Sequence, residues 1–332
     1  MRLQLSPRII DAVRPRRLSD HTVSTWNICY DNLYLCHQRS SISTSGQPGT
    51  GGRNRTDNRM HRERLLAALV EQGLAVFSID DARAIAQREG IPDARVAGLL
   101  MRMARTGWVY RLRRGLYVLS GPAAGGSPVH PFAIAVRLVT PSAISHWSAL
   151  HHHGLTEQVP RIVTAFTPSK VVTPDMRNRN DATPRRKHAW VIDGIRYEFT
   201  TVEQSRFFGI EHVWVNEQTK IPITDRERTV LEMFASPRSF GGMGEGIGTL
   251  REHLDSLSVD KLIEYALHYD AVSVAKRLGW ALEGAGVQGA VLAPLLELPS
   301  TGYHLIDPSG PRAGARERRW MVQNNLGMAN RA

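Results

Sequence analysis

Cysteine is almost missing from this chain: Cys29 and Cys36 are the only two in 332 residues. A pair confined to the first tenth cannot supply a disulfide framework or a four-thiolate zinc site, so the fold must stand on apolar packing. Long hydrophobic runs are missing too. No stretch approaches the ~18 uninterrupted apolar residues of a membrane span, and no apolar segment follows the N-terminal arginines as in a secretory signal. A cytoplasmic protein with no membrane partner is expected. Acidic residues are also in short supply, with 31 Asp and Glu against 42 Lys and Arg, a net charge of +11. No glycine-rich loop ends in Gly-Lys-Ser/Thr, and no nucleophile elbow occurs. The run Gly241-Gly242-Met243-Gly244-Glu245-Gly246 lacks the preceding strand and the lysine that a phosphate-binding loop needs, and reads as a plain loop.

What the chain does have is an ordinary apolar content of 42% with 22% charged residues, which excludes wholesale disorder and fibrous architectures. Its length suits two domains or one large one. The positive excess is localised. Residues 1–59, 60–120, 121–300 and 301–332 carry net charges of +5, +4, −1 and +3. A balanced middle flanked by basic ends and one compact basic segment points to a module that meets a polyanion, nucleic acid rather than membrane.

Residues 1–59 mix scattered arginines with a Ser/Thr/Gly/Asn-rich run and show no apolar period, so they read as a disordered extension. Translation starting at Met60 would account for them, and a basic arm reaching into DNA is the competing reading. From Met60 the pattern sharpens. Leu65, Leu66, Leu69 and Val70 predict a helix over about 60–72, stopped by Gly73. Ser78 and Asp81 form a capping-box pattern that opens a second helix ending at Gly90. A third opens at Pro92, carries Val96, Leu99, Leu100 and Met103 on one face, and ends at Gly107. The runs Trp108–Leu112 and Leu116–Leu119 then flank Arg113-Arg114-Gly115 as a β-hairpin with a basic tip. Three helices and such a hairpin describe a winged helix-turn-helix over 60–120.

A Gly/Pro-rich linker, 121–130, leads to a second domain over 131–325 and a tail, 326–332. Helices are expected at Pro131–Leu138 and Ser142–His153. Strands are expected at Arg161–Phe166, at Trp190–Ile192 and Ile195–Thr201 across the Asp193-Gly194 turn, and at His212–Val215 and Thr219–Ile223. Four helices follow (Asp225–Ala235, Thr249–Leu257, Val259–His268, Val272–Leu282), and Arg318–Gln323 forms a last short run. Val172–Lys187 reads as a mobile loop. The fold class is α+β, with a small sheet and a C-terminal helical bundle.

On the third helix the arginines Arg95, Arg102 and Arg105 fall within about 80° of one another, opposite the apolar face. Small Ala94 and Gly98 among them permit close approach. This suits a recognition helix, because the major groove admits one α-helix and Arg bonds bidentately to guanine or pairs with phosphate. Arg111, Arg113 and Arg114 on the hairpin are phosphate or minor-groove candidates. No catalytic, cofactor or metal residues are assigned. His146, His151, His152 and His153 match no coordination spacing, and Thr224-Asp225-Arg226-Glu227 reads as a helix cap rather than a catalytic pair.

Several segments together resemble the AbiEi-type antitoxins of type IV toxin–antitoxin systems. They are Gly107-Trp108-Val109-Tyr110-Arg111-Leu112-Arg113-Arg114-Gly115-Leu116-Tyr117, Ile144-Ser145-His146-Trp147-Ser148-Ala149-Leu150 with His153-Gly154-Leu155-Thr156, Arg226-Glu227-Arg228-Thr229-Val230-Leu231, and Asp307-Pro308 with Arg319-Trp320. The resemblance implies a winged helix that binds inverted repeats in double-stranded DNA of its own promoter, cooperatively, and represses the operon. It further implies a C-terminal domain that neutralises a nucleotidyltransferase-type toxin, which in the type IV arrangement does not require direct contact. Nucleoid association would follow. Two readings stand beside it: a winged-helix regulator whose second domain binds a ligand or a partner protein, and a nuclease with a winged-helix targeting module. The latter needs a carboxylate cluster that the expected strands do not assemble.

Overall fold

The computed structural model describes residues 52–120, 129–173, 189–217 and 219–327. Both cysteines, most of the expected extension, most of the expected linker, the greater part of the Val172–Lys187 loop and the end of the tail lie outside them. All the described residues fall within one compact unit, 43–332.

The first helix, α1 (Gly52–Glu71), begins eight residues before Met60. Residues 52–59 are therefore helical where the sequence reading expects disorder. They lack an apolar period, but side-chain pairs four apart support a polar helix, and Arg59–Glu63 (2.9 Å) and Asp57–His61 (3.9 Å) are two such pairs. After Gly73 comes β1 (Val76–Ser78), then α2 (Ile79–Arg88), α3 (Asp93–Arg105), β2 (Val109–Arg113) and β3 (Leu116–Leu119). Ser78 caps α2 with the expected reciprocal box, its hydroxyl accepting from Asp81 N (3.0 Å) while Asp81 accepts from Ser78 N (2.7 Å). The three strands form an antiparallel sheet in the order β1-β3-β2. Leu65, Leu69, Phe77, Ile85, Val96, Leu99, Leu100, Met103 and Val109 are among the buried residues of this core. Strand β1 escapes the sequence reading because three residues are too few to show an alternation.

The remainder opens with α4 (Pro131–Leu138), capped by His130. The expected helix Ser142–His153 is split: Ala143–Ile144 form β4, and α5 starts only at His146 (His146–His152). Both β4 residues are buried on each side, and a fully apolar pair has no period by which to tell strand from helix. Strands β5 (Ile162–Thr167), β6 (Ala189–Ile192), β7 (Ile195–Thr201), β8 (Ile210–Trp214) and β9 (Lys220–Thr224) complete a six-stranded mixed sheet, larger than expected, in the order β6-β7-β5-β4-β9-β8. The β6–β7 turn has positive φ at both Asp193 (48°) and Gly194 (78°), the backbone that a tight two-residue hairpin requires.

Helices α6 (Arg226–Ala235), α7 (Met243–His253), α8 (Val259–His268), α9 (Val272–Gly284) and α10 (Ala293–Leu296) follow. Helix α7 begins inside the glycine run that reads as a loop. Gly246 there lies against α6, where an added Cβ would stand 3.2 Å from Met233 Cβ, so glycine serves helix contact rather than flexibility. Strands β10 (His304–Leu305), β11 (Ala315–Glu317) and β12 (Val322–Asn324) close the chain as a small sheet. Trp320, beside β12, is fully buried with the helices and lies so near α9 that a Cβ on Gly279 would meet its ring at 2.2 Å.

The two parts touch. Helix α4 packs on β1 as well as on β5 and β9, and Arg137 of α4 bridges to Asp81 of α2. Burial alone would raise the Asp81 carboxyl, but the Ser78 cap and Arg137 hold it below the ordinary carboxylate value.

Candidate nucleic-acid interface

Helix α3 buries Val96, Leu99, Leu100 and Met103 and turns its other side to solvent. The exposed residues of α3 are Asp93 at its first turn, paired with Arg83, and Ala94, Ala97, Met101, Arg102 and Arg105. Met101, 58% exposed, stands at the centre of that face between two alanines, a feature the charge-based reading passes over. Arg95 is only half-exposed, because it leans to one flank and donates through Nη1 to Asp57 Oδ2 (2.7 Å). That bond holds the Asp57 carboxyl below its usual range. Arg102 leans the same way and donates through Nη2 to Asn58 Oδ1 (3.2 Å). Arg105 is exposed one turn further on. Asp57 and Asn58 carry no signal as partners in sequence. Their only trace is the four-residue spacing of Asp57 to His61 and Arg59 to Glu63 across Met60.

Arg111, Arg113 and Arg114 are all exposed on the β2–β3 hairpin. The ladder shifts between Arg111 and Arg113, and Arg111 Nε donates to the Arg113 carbonyl (3.4 Å), so these side chains crowd one end of the hairpin. Gly115, at φ +75°, makes the turn that only glycine takes without strain. All six arginines named from sequence thus lie on one small module. Among the described residues Arg105, Arg111, Arg113 and Arg114 form no ion pair with a carboxylate, while Arg95 and Arg102 are engaged by α1. Exposed guanidiniums of this kind can bind phosphate or base edges.

The histidines named from sequence, and the α4 cap His130 beside them, serve packing. His130 Nδ1 accepts from Phe132 N (3.2 Å), and burial pushes His130 and His152 down to about 4. His153 Nε2 donates to the Thr224 carbonyl (2.6 Å). Among the described residues no group of three His, Cys, Asp or Glu is placed to hold a metal ion. His146, at φ 55°, stacks on Phe240 with centroids 5.2 Å apart. Its Nδ1 faces both Ser145 Oγ (2.9 Å) and Glu232 Oε2 (3.4 Å). One nitrogen cannot relay a proton between those two groups, so the trio does not form a nucleophile relay.

The cap of α6 is Asp225, one residue beyond the Thr224 expected from sequence, and its Oδ1 accepts from Arg228 N (2.8 Å). Tyr265 OH donates to Asp225 Oδ2 (2.7 Å), and Glu227 accepts from Ser258 N (2.9 Å) and Lys261 Nζ (3.1 Å). Burial alone would raise the Glu227 carboxyl, but these donors hold it below its ordinary value. Both carboxylates are committed to ending and joining helices.

The geometry defines a three-helix, three-stranded module with a basic outer face, followed by a mixed α+β portion in which Asp225, Glu227, Arg228 and Glu232 are buried at α6. Residues 64–120, within that module, match the family described as AbiEi antitoxin transcriptional regulators. The resemblance read from the motifs is thereby shown over this stretch. The fold as a whole is similar to the solved structure of the RV2827C protein from Mycobacterium tuberculosis, with a TM-score of 0.52 and 13% identity over 79% of this chain and 90% of that one. No curated protein matches the chain. No helix among the described residues is long and apolar enough to cross a membrane.

Proposed function

We propose that the chain is a DNA-binding antitoxin of a type IV toxin–antitoxin system that represses its own operon. In this reading α1–α3 and β1–β3 act as a winged helix. Helix α3 enters the major groove, and the β2–β3 hairpin, the wing, carries Arg111, Arg113 and Arg114 to the backbone or minor groove. Arg95, Arg102 and Arg105 supply contacts from α3, and copies of the chain associate on inverted repeats in the promoter. The protein works in the cytoplasm, at the nucleoid, as a binder rather than an enzyme and with no cofactor. The portion from residue 131 onward neutralises a nucleotidyltransferase-type toxin.

The observation that carries this reading is a coincidence of place: the exposed arginine face lies within the stretch that matches a transcriptional-regulator family. A second reading, in which the C-terminal portion docks a partner protein directly, draws support from the sheet edges. Val191 on β6 and Trp214 on β8 are 70% and 62% exposed there.

The test is binding of the full chain to a duplex from immediately upstream of its gene and to a scrambled duplex, across a salt series. Phosphate contacts require affinity to fall steeply with salt, and base contacts require the upstream duplex to win. Equal, weak binding to both duplexes would defeat the repressor reading.

A further inference from the structure

Resting on the DNA-binding reading, we infer that Asp57 and Asn58, at the start of α1, are positioning residues for Arg95 and Arg102 and so belong to the DNA-reading machinery. Arg95 and Arg102 stand seven residues apart on α3, yet adjacent residues of α1 hold both, through the contacts at 2.7 Å and 3.2 Å. This works because Arg102 curls back along the helix: a Cβ built on Gly98 would lie 3.6 Å from Arg102 Nη1.

Each contact takes one terminal nitrogen. A guanidinium has five donors in a planar fork, so both arginines keep most of theirs for a ligand while their planes are fixed from behind. Rotamer freedom surrendered in the free protein does not have to be surrendered on binding, which is how preorganisation raises affinity and sharpens discrimination. The alternative, that α1 covers the arginines as a stand-in for DNA, fits the charge poorly. The segment Gly52–Arg59 holds Arg53, Arg55 and Arg59 against the single acid Asp57, whereas a substitute for DNA should be acidic. Asn58 brings no charge at all. The most exposed face of α3, around Ala97 and Met101, also faces solvent rather than α1.

The experiment compares full-length wild type, D57A, N58A, D57E, R95A and the D57A/R95A pair on the upstream and scrambled duplexes, with thermal unfolding beside them. The expected result is a loss of about tenfold in the upstream-to-scrambled affinity ratio for D57A, within the range that one arginine–base pair contributes. A smaller loss is expected for N58A and partial rescue for D57E, with unfolding midpoints unchanged. In the R95A background D57A should cost nothing further, because its effect passes through that arginine. Tighter binding of both duplexes by D57A would mean that α1 covers the arginines, and would overturn the inference. So would unchanged selectivity, or an equal loss with and without Arg95. A wild type that does not select overturns the DNA reading and this inference together; a selective wild type matched by D57A overturns this inference alone.

Discussion

Arg102 and Arg228 are the same side chain in opposite situations. Arg102 is exposed on α3 and gives one nitrogen to Asn58. Arg228 on α6 is fully buried, faces the rings of Phe208, Phe166 and Tyr269 at 5.0 to 5.5 Å, and has Glu232 3.3 Å from Nη1. The contrast extends to their neighbourhoods. Around α3 and the hairpin, arginines outnumber their acids and point outward. Around α6, Asp225, Glu227 and Glu232 are buried and matched to partners, the half-exposed Lys261 among them. The lesson is that charge count does not reveal a binding surface; the accounting of partners does. A cation enclosed by rings and a carboxylate inside the fold sustains packing, and one that faces water is available to another molecule.

The contrast breaks most sharply at Glu232. Replacing it with alanine removes the carboxylate beside Arg228 and the acceptor of the His146 N–H (3.0 Å), leaving a buried cation uncompensated. A loss of about 3–5 kcal/mol is expected, measured by urea unfolding. Acid comes next. His130 is buried and neutral, with its value pushed to about 4 against 6.5 in the unfolded chain. Between these values the unfolded state binds the extra proton, so stability is intact above pH 6.5 and falls as pH drops towards 4, by about 3 kcal/mol at most from this residue. His152 adds in the same direction. H130N, which keeps an acceptor near Phe132 N, should flatten the unfolding profile over that window; an unchanged slope would remove His130 from the account.

The exposed arginines should behave in the reverse manner. R102A and R113A are each expected to cost about 1–3 kcal/mol of DNA binding or discrimination while moving stability by less than about 0.5 kcal/mol, read by binding titration and thermal melts. The smallest effect sharpens the same contrast. E63A, which removes an exposed pair on α1, should lower stability by only about 0.3–0.5 kcal/mol, and 1 M salt should abolish the difference.

How much of this was legible in sequence varied with how local the cause was. The Ser78–Asp81 box, the Asp193-Gly194 turn and the apolar face of α3 are set by residues within one or two turns, and each was readable. Strands β1 and β4 were not, since two or three residues become a strand only when distant ladders receive them. The start of α7 was hidden because a run of glycines reads as a loop, although Gly246 among them packs against a neighbouring helix. At the candidate interface the arginine positions were legible from their spacing, but their partners were not. Asp57 and Asn58 lie 38 and 44 residues from Arg95 and Arg102, in a segment whose composition argued against any structure. Met101 was hidden by its chemistry, since an apolar residue on a helix is ordinarily assigned to the core.

The burial of Trp320 orders events during synthesis. The residues of the first core are complete by Leu119, whereas Trp320 and Val322 belong to the second core and reach the folding chain much later. Until then the face of α9 at Gly279 lacks the Trp320 ring that packs on it. Domains fold as units, N-terminal first, as the chain emerges. A message truncated after Ser300 would therefore yield a polypeptide with its first core closed and its second ajar, and limited proteolysis of that fragment should spare residues 60–120 while cutting α9. Closure of the second core would then rest on the segment that carries Trp320 and Val322.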